Sequence, residues 1–263
     1  MSTTTLTRTV HRSAGTVEHS AWMGWMETIP SPDLVAVSHG TDDPAGRTAV
    51  RALVDVVDLA LAETAVHGAF VDVQDPRVDP YLHSGALAPG QKAALVPLLL
   101  SAGTHASGDL AAAAGGRPGT KVAAPLGPDA SLAAVLHRRL VEAGWIPGEA
   151  VVLACAGSTD PRGIADCQTM AQLLAGRLQV PVTPAFISAA EPRLPDVLDA
   201  ARTLNPGRRT VVSSYLLAPG YFADLVARCR PDVLGAPLLD PSQTPPRELV
   251  DTVIERYRRC VDR

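Results

Sequence analysis

The chain has 263 residues, 46% of them hydrophobic and 19% charged, a balance that supplies one large or two modest cores and excludes a disordered polymer. No apolar run approaches the roughly 20 residues of a membrane span, and residues 1 to 30 lack the apolar stretch of a signal peptide, so a cytoplasmic protein without membrane contact is expected. The net charge of −4, with no basic stripe, gives no reason to expect nucleic acid as a partner.

Residues 1 to 33 contain His11, His19, Trp22 and Trp25 without helical or strand periodicity and end in Pro30-Ser31-Pro32. This stretch reads as a mobile arm whose isolated histidines are solvated. From Leu34 an apolar run ends in Ser38-His39-Gly40-Thr41 and is followed by a helical pattern. That pattern is a buried strand whose final turn delivers His39 to the mouth of an α/β sheet. Between Arg47 and Ala62, Val50, Leu53, Val54, Val57 and Leu61 share one face while Arg47, Arg51, Asp55 and Asp58 take the other, as in a helix lying on a sheet. Further strands are expected at 68–73, 93–100 and 121–125, with a helix at 131–142 closing the first half.

Trp145-Ile146-Pro147-Gly148 is too short for a flexible linker, so the two halves should pack closely. The second half repeats the order, with strands at 150–154, 182–187, 209–216 and 232–238 and helices at 162–178, 194–204 and 221–228. A last helix at 247–260 buries Leu249, Val250, Val253 and Tyr257, and Arg256, Arg258 and Arg259 near its end complement the helix dipole. Strands alternating with helices imply right-handed crossovers and parallel sheets. The expected organisation is an arm at 1–33 and two similar flavodoxin-like α/β units, 34–147 and 148–263, that arose by internal duplication and face a cleft.

The duplication is legible residue by residue. Leu34 to Gly46 recurs 117 positions later as Val151 to Gly163, keeping Gly40, Pro44 and Gly46 as Gly157, Pro161 and Gly163 but replacing His39 by Ala156. At the same offset Leu98 to Ala106 answers to Tyr215 to Ala223, with His105 replaced by Phe222. Phe70 to Val78 answers to Phe186 to Leu194 at an offset of 116. Both histidines are therefore expected at strand ends of the first unit, and both are erased in the second.

In open parallel sheets ligands bind beyond the carboxyl ends of the strands, so His39 and His105 should face one cleft. A pair of neutral imidazoles suits Fe(II), Co(II), Ni(II) or Zn(II) and accepts protons near neutral pH. Structural zinc wants four ligands, and no CxxC or HxxxH set supplies them, so a two-histidine site should be open and its metal transient. The four cysteines, Cys155, Cys167, Cys229 and Cys260, all lie in the second half and read as buried or incidental thiols. Asp72, at the end of the second strand, is a candidate carboxylate helper, with a capping or solvated Asp as the alternative. Gly40, Gly46 and Gly103 permit close backbone approach; Arg47 can offer a carboxylate a bidentate contact or simply be exposed, and Phe222 can offer an apolar face or be a plain core aromatic. No phosphohistidine motif, GxxxxGK[ST] loop or GxSxG elbow occurs.

These residues resemble a known family, the sirohydrochlorin chelatases, the class II metal chelatases of sirohaem and cobalamin biosynthesis. The resemblance rests on Val37-Ser38-His39-Gly40-Thr41, on Phe70-Val71-Asp72 with Pro76, on Val96-Pro97-Leu98-Leu99-Leu100-Ser101-Ala102-Gly103-Thr104-His105 and on Ala124-Pro125-Leu126-Gly127. With their echoes they span residues 34 to about 240, in the family's long two-half form. The resemblance implies insertion of Fe(II) or Co(II) into a polycarboxylated tetrapyrrole, with His39 and His105 binding the metal and assisting removal of pyrrole protons. Gly40, Thr41, Arg47, Asp72, Ser101, Gly103, Thr104 and Phe222 are the candidate substrate contacts around them. The divalent metal is then a substrate and no tightly bound cofactor is required. A non-catalytic tetrapyrrole or metal carrier is the alternative, and the oligomeric state is left open.

Overall fold

Apolar side chains alternate along the strands, and the alternation separates the interior into faces. In β1 (Asp33–Ser38), Leu34 and Ala36 join one hydrophobic cluster while Val35 and Val37 join another. The structure is a computed structural model that describes residues 31 to 262, with the backbone alone at 104 to 107. The readings on His11, His19, Trp22 and Trp25 lie outside the described residues.

The elements follow the expected order. After β1 come α1 (Pro44–Ala60), β2 (Val66–Phe70), α2 (Val78–His83), β3 (Ala93–Pro97), α3 (Thr104–Gly115), β4 (Thr120–Val122) and α4 (Ala130–Glu142). The second series is β5 (Val151–Cys155), α5 (Pro161–Leu178), β6 (Val182–Phe186), α6 (Leu194–Leu204), β7 (Val211–Tyr215), α7 (Tyr221–Arg228), β8 (Val233–Gly235) and α8 (Arg247–Val261). They form two four-stranded parallel sheets, ordered β2-β1-β3-β4 and β6-β5-β7-β8. The equivalent helices α1 and α5 start alike. Asp43 accepts a hydrogen bond from the Gly46 N–H at 2.7 Å and Asp160 from that of Arg162 at 2.9 Å, each followed by a proline in the first turn.

Several strands are shorter than their apolar runs. The second ends at Phe70, where the chain turns back so that the Phe70 N–H reaches the Pro76 carbonyl, and Val73 takes a left-handed φ of 53°. The run 93–100 overshoots β3 because Leu98 and Leu100 are packed in the loop beyond it. The strand expected at 121–125 is the three-residue β4, for the same reason: Ala123 and Leu126 are buried outside the ladder.

The last helix of each series does not close its own sheet. Helix α4 follows β4 yet packs beside α5 against β7 and β8, whereas α8 follows β8 and packs beside α1 against β3 and β4. The exchange merges the inner faces of both sheets into one cluster, from Leu34 and Leu53 through Leu136 and Leu140 to Leu153, Leu174 and Val253. The outer faces keep separate clusters under α2 and α3 and under α6 and α7. Two arginines 117 residues apart pin the exchanged helices. Arg139, with 2% of its side chain exposed, donates from α4 to the Leu238 carbonyl after β8, and Arg256 donates from α8 to the Pro125 and Leu126 carbonyls after β4. Residues 31 to 262 accordingly form one compact body.

Candidate functional site

Strands β1 and β3 are hydrogen-bonded neighbours, with Val37 opposite Pro97, so the segments that leave them start side by side at one edge of the first sheet. His39 is the first residue beyond β1 and is exposed. Its carbonyl accepts the Asp72 N–H at 3.1 Å, which ties the β1 exit to the β2 exit. Gly40 follows with φ +94°, and a Cβ there would lie 2.6 Å from the Asp72 carbonyl oxygen, so only glycine fits this turn. Thr41 donates its N–H to the Gln74 side chain at 2.9 Å. The backbone around His39 is thus braced while its imidazole is left to solvent.

The other expected residues fall into place unequally. Asp72 stands beside the His39 backbone with 57% of its side chain exposed, ion-paired with Arg77 at 3.1 Å. Arg47 folds back onto its own loop, donating from Nε to the Thr41 carbonyl at 2.8 Å and from a terminal nitrogen to Asp42 at 3.0 Å. It remains half-exposed, but braces the loop. Ser101 is half-buried beyond β3. Gly103 precedes α3, where a Cβ would meet nothing within 4 Å among the described residues, in contrast to Gly40 and Gly46. Thr104 and His105 are the first two residues of α3, and their side chains lie outside the described residues. A metal shared at ordinary bond lengths of about 2.1 Å would bring the two ring nitrogens to within roughly 3 to 7 Å of each other. Among the described residues no group of three or more His, Cys, Asp or Glu side chains could hold a metal.

The second unit meets this edge closely. A Cβ on Gly46, in the first turn of α1, would lie 2.4 Å from the Pro219 carbonyl oxygen, and one on Gly220 would lie 3.0 Å from the Thr41 hydroxyl. Gly163, the equivalent of Gly46, comes as near to the Ala102 carbonyl, where a Cβ would sit at 2.2 Å. The carboxyl-end loops of the two sheets therefore interlock. Phe222 is 38% exposed and its neighbour Tyr221 67%, their rings edge to face at 5.7 Å. Phe222 is not a core aromatic. The pair opens α7 directly after Gly220, on the loop that abuts Thr41.

Sequence reasoning passed over Tyr221, which carried the same signal as Phe222 because it stands where the first unit has Thr104. It also missed the groups that reach across from the second unit. The buried Tyr215 hydroxyl donates to the Leu100 carbonyl at 2.6 Å, and burial pushes its pKa well up. Asp166 accepts the Ala102 N–H at 2.7 Å. Hydrogen bonding to Cys167 and burial raise the Cys155 thiol, and the Cys167 thiol is held down by Cys155. The expectation of buried thiols is met at Cys155, Cys167 and Cys260, and Cys229 is partly exposed.

Comparison with known proteins points to one group. The CbiX family model matches residues 33–143 and 150–226, more than half of the chain. A protein named sirohydrochlorin ferrochelatase from Bacillus subtilis (strain 168) is 24% identical over 204 residues, which cover 74% of this chain and 77% of the relative. The structure of SirB from Bacillus subtilis with Fe3+ superposes with a TM-score of 0.70 at 21% identity, covering 88% of this chain and 96% of that one. The cobalt complex of the sirohydrochlorin chelatase SirB from Bacillus subtilis subspecies spizizenii gives 0.67 at 20% identity with the same coverage. The expected fold, two similar parallel α/β units, is the fold these structures share.

Proposed function

The chain belongs to the CbiX family, and from that premise we propose that it is a metal chelatase that inserts a divalent metal, Fe(II) or Co(II), into sirohydrochlorin. The observation that carries the proposal is that the segments bearing His39 and His105 leave neighbouring strands of the first sheet, while Ala156 and Phe222 hold the equivalent places in the second. On this reading residues 34–147 carry the chemistry and residues 148–263 supply the facing wall.

Insertion requires that a hydrated metal lose its waters and that two pyrrole N–H groups lose their protons as the macrocycle bends. His39 and His105 would hold the metal through imidazole nitrogen in place of its waters, and as the metal passes to the macrocycle each freed nitrogen would be open to take up one pyrrole proton. The exposed rings of Tyr221 and Phe222 offer an apolar surface for the macrocycle beside the His39 loop. Asp72, whose backbone N–H is bound by the His39 carbonyl, is the candidate carboxylate helper, and its ion pair with Arg77 must loosen for it to act. Arg47 is partly engaged by Thr41 and Asp42, and its remaining guanidinium N–H groups are those open to a substrate carboxylate.

Two imidazoles do not by themselves select iron, since affinity for nitrogen ligands rises from Fe(II) through Co(II) and Ni(II). The test is an anaerobic insertion assay with sirohydrochlorin and each metal in turn. Growth of a metallated absorption band under catalytic amounts of protein, faster or equal for cobalt, is the expected result. His39→Ala and His105→Ala should each lower the rate by about two orders of magnitude, in the range of a lost general base, with circular dichroism unchanged. Stoichiometric binding without turnover would mean a carrier, and wild-type rates in both variants would remove the histidines from the mechanism.

A further inference from the structure

The loop that leads from β3 to His105 is held by the second unit, and the hold is not reciprocated. The Leu100 carbonyl accepts the Tyr215 hydroxyl at 2.6 Å, the Ala102 N–H is bound by the Asp166 carboxylate at 2.7 Å, and the Ala102 carbonyl lies in the space that a side chain on Gly163 would fill. The duplication supplies an internal control at an offset of 117 residues. The position equivalent to Asp166 is Ala49, and the position equivalent to Ala102 is Pro219, which has no N–H to donate. The place of Tyr215 is taken by Leu98. Of the whole set only the apolar approach survives in the reverse direction, Gly46 against the Pro219 carbonyl. Among the described residues the polar tethers are found on the side where the loop carries a histidine.

We infer that Asp166 is a positioning residue for His105: its carboxylate fixes the Ala102 amide, three residues before His105, and so sets where α3 begins. The inference rests on the proposed metal site and extends it by giving the histidine-free unit a definite task. Asp166 is half-buried at the second turn of α5. A charged acceptor on one backbone N–H is a stronger anchor than a neutral one. An imidazole that must meet a metal together with a second imidazole tolerates little displacement, so loosening this anchor lowers metal affinity before it lowers stability.

The experiment uses the full chain and cobalt(II) alone as the probe, titrated anaerobically and followed by its visible absorption. Asp166→Ala is expected to weaken cobalt binding about tenfold, the lower range for a hydrogen bond to a charged group. The melting temperature should stay near wild type and hydrogen exchange at the Ala102 amide should speed up. Asp166→Asn keeps an oxygen acceptor and should restore most of the affinity. Should Asp166→Ala fail to fold, Asp166→Ser, too short to reach the amide, carries the same expectation. Wild-type affinity in Asp166→Ala, or an equal loss in Asp166→Asn, would overturn the inference. His105→Ala separates the two levels. If it too binds cobalt as wild type does, the metal site itself is wrong; if it loses cobalt while Asp166→Ala does not, only the positioning role is.

Discussion

Gly46 and Gly163 show how a single missing methyl group decides whether two halves can meet. Each lies against a carbonyl of the opposite unit at a distance no side chain tolerates. Alanine at either position should destabilise the protein by about 1 to 3 kcal/mol through forced separation of the loops, whereas Gly103→Ala, which faces open space, should cost under about 1 kcal/mol. Thermal or denaturant unfolding of the three variants checks the contrast. Phe222 and Tyr221 belong to the same scale. Because Phe222 keeps 38% of its surface exposed, Phe222→Ala should cost less than the roughly 3 to 5 kcal/mol of a core aromatic while raising the KM for the tetrapyrrole several-fold. A fall in melting temperature with KM unaltered would return Phe222 to a purely structural role. The histidines, the glycine turn and Phe222 were legible in the sequence because each is one residue type in one register of the repeat. Asp166 and Tyr215 were not, since an acid in a helix and a tyrosine at the end of a strand give no sign of a partner 64 or 115 residues away.

At the scale of elements, helices α4 and α8 are amphipathic in the way their sequences dictate, but the surface that each covers belongs to the other series. Arg256 anchors α8 by donating to the Pro125 and Leu126 carbonyls and to Asp129 at 2.9 Å. Arg256→Ala removes the guanidinium from the Pro125 and Leu126 carbonyls and leaves Asp129 with the Ser131 N–H, and should cost about 3 kcal/mol. Burial alone would raise the Asp129 carboxyl, but the Ser131 N–H and the Arg256 guanidinium outweigh it and hold the carboxyl below its ordinary value. A depressed carboxylate contributes stability that is present above its unfolded pKa, about 4, and lost as pH falls through the folded one. Acid should therefore destabilise the wild-type chain more than Arg256→Ala, and unfolding measured from neutral pH to about pH 3 would show equal slopes if the pair did not matter.

Residues 31 to 262 form one body in spite of their two sheets and should unfold as one cooperative unit. Cutting at the joint near Pro147 would strip the first sheet of α8 and leave α4 with its apolar face uncovered, and the second sheet would lose α4 in the same way. Fragments ending and beginning at this joint should be largely unfolded alone and should regain native circular dichroism when mixed. Two independently folded fragments with native melting would contradict the exchange. Among the described residues no helix is long and apolar enough to cross a membrane.

The sequence by itself determined the local structure and the duplication. Period-2 and period-3.6 patterns, the Asp-Pro helix starts and the loss of two histidines at fixed offsets are all statements about neighbours in the chain or about copies of the same chain. It also carried the family, because the residues at the strand ends are contiguous motifs. Only the tertiary structure decided which sheet each closing helix covers and that the histidine-free unit grips the His105 loop through Asp166 and Tyr215. An amphipathic helix is satisfied by either of two similar sheets, and a carboxylate by any amide N–H within reach. Neither choice is written in the periodicity of the segment that makes it; both are settled by which apolar faces and unpaired backbone groups the packed chain brings together.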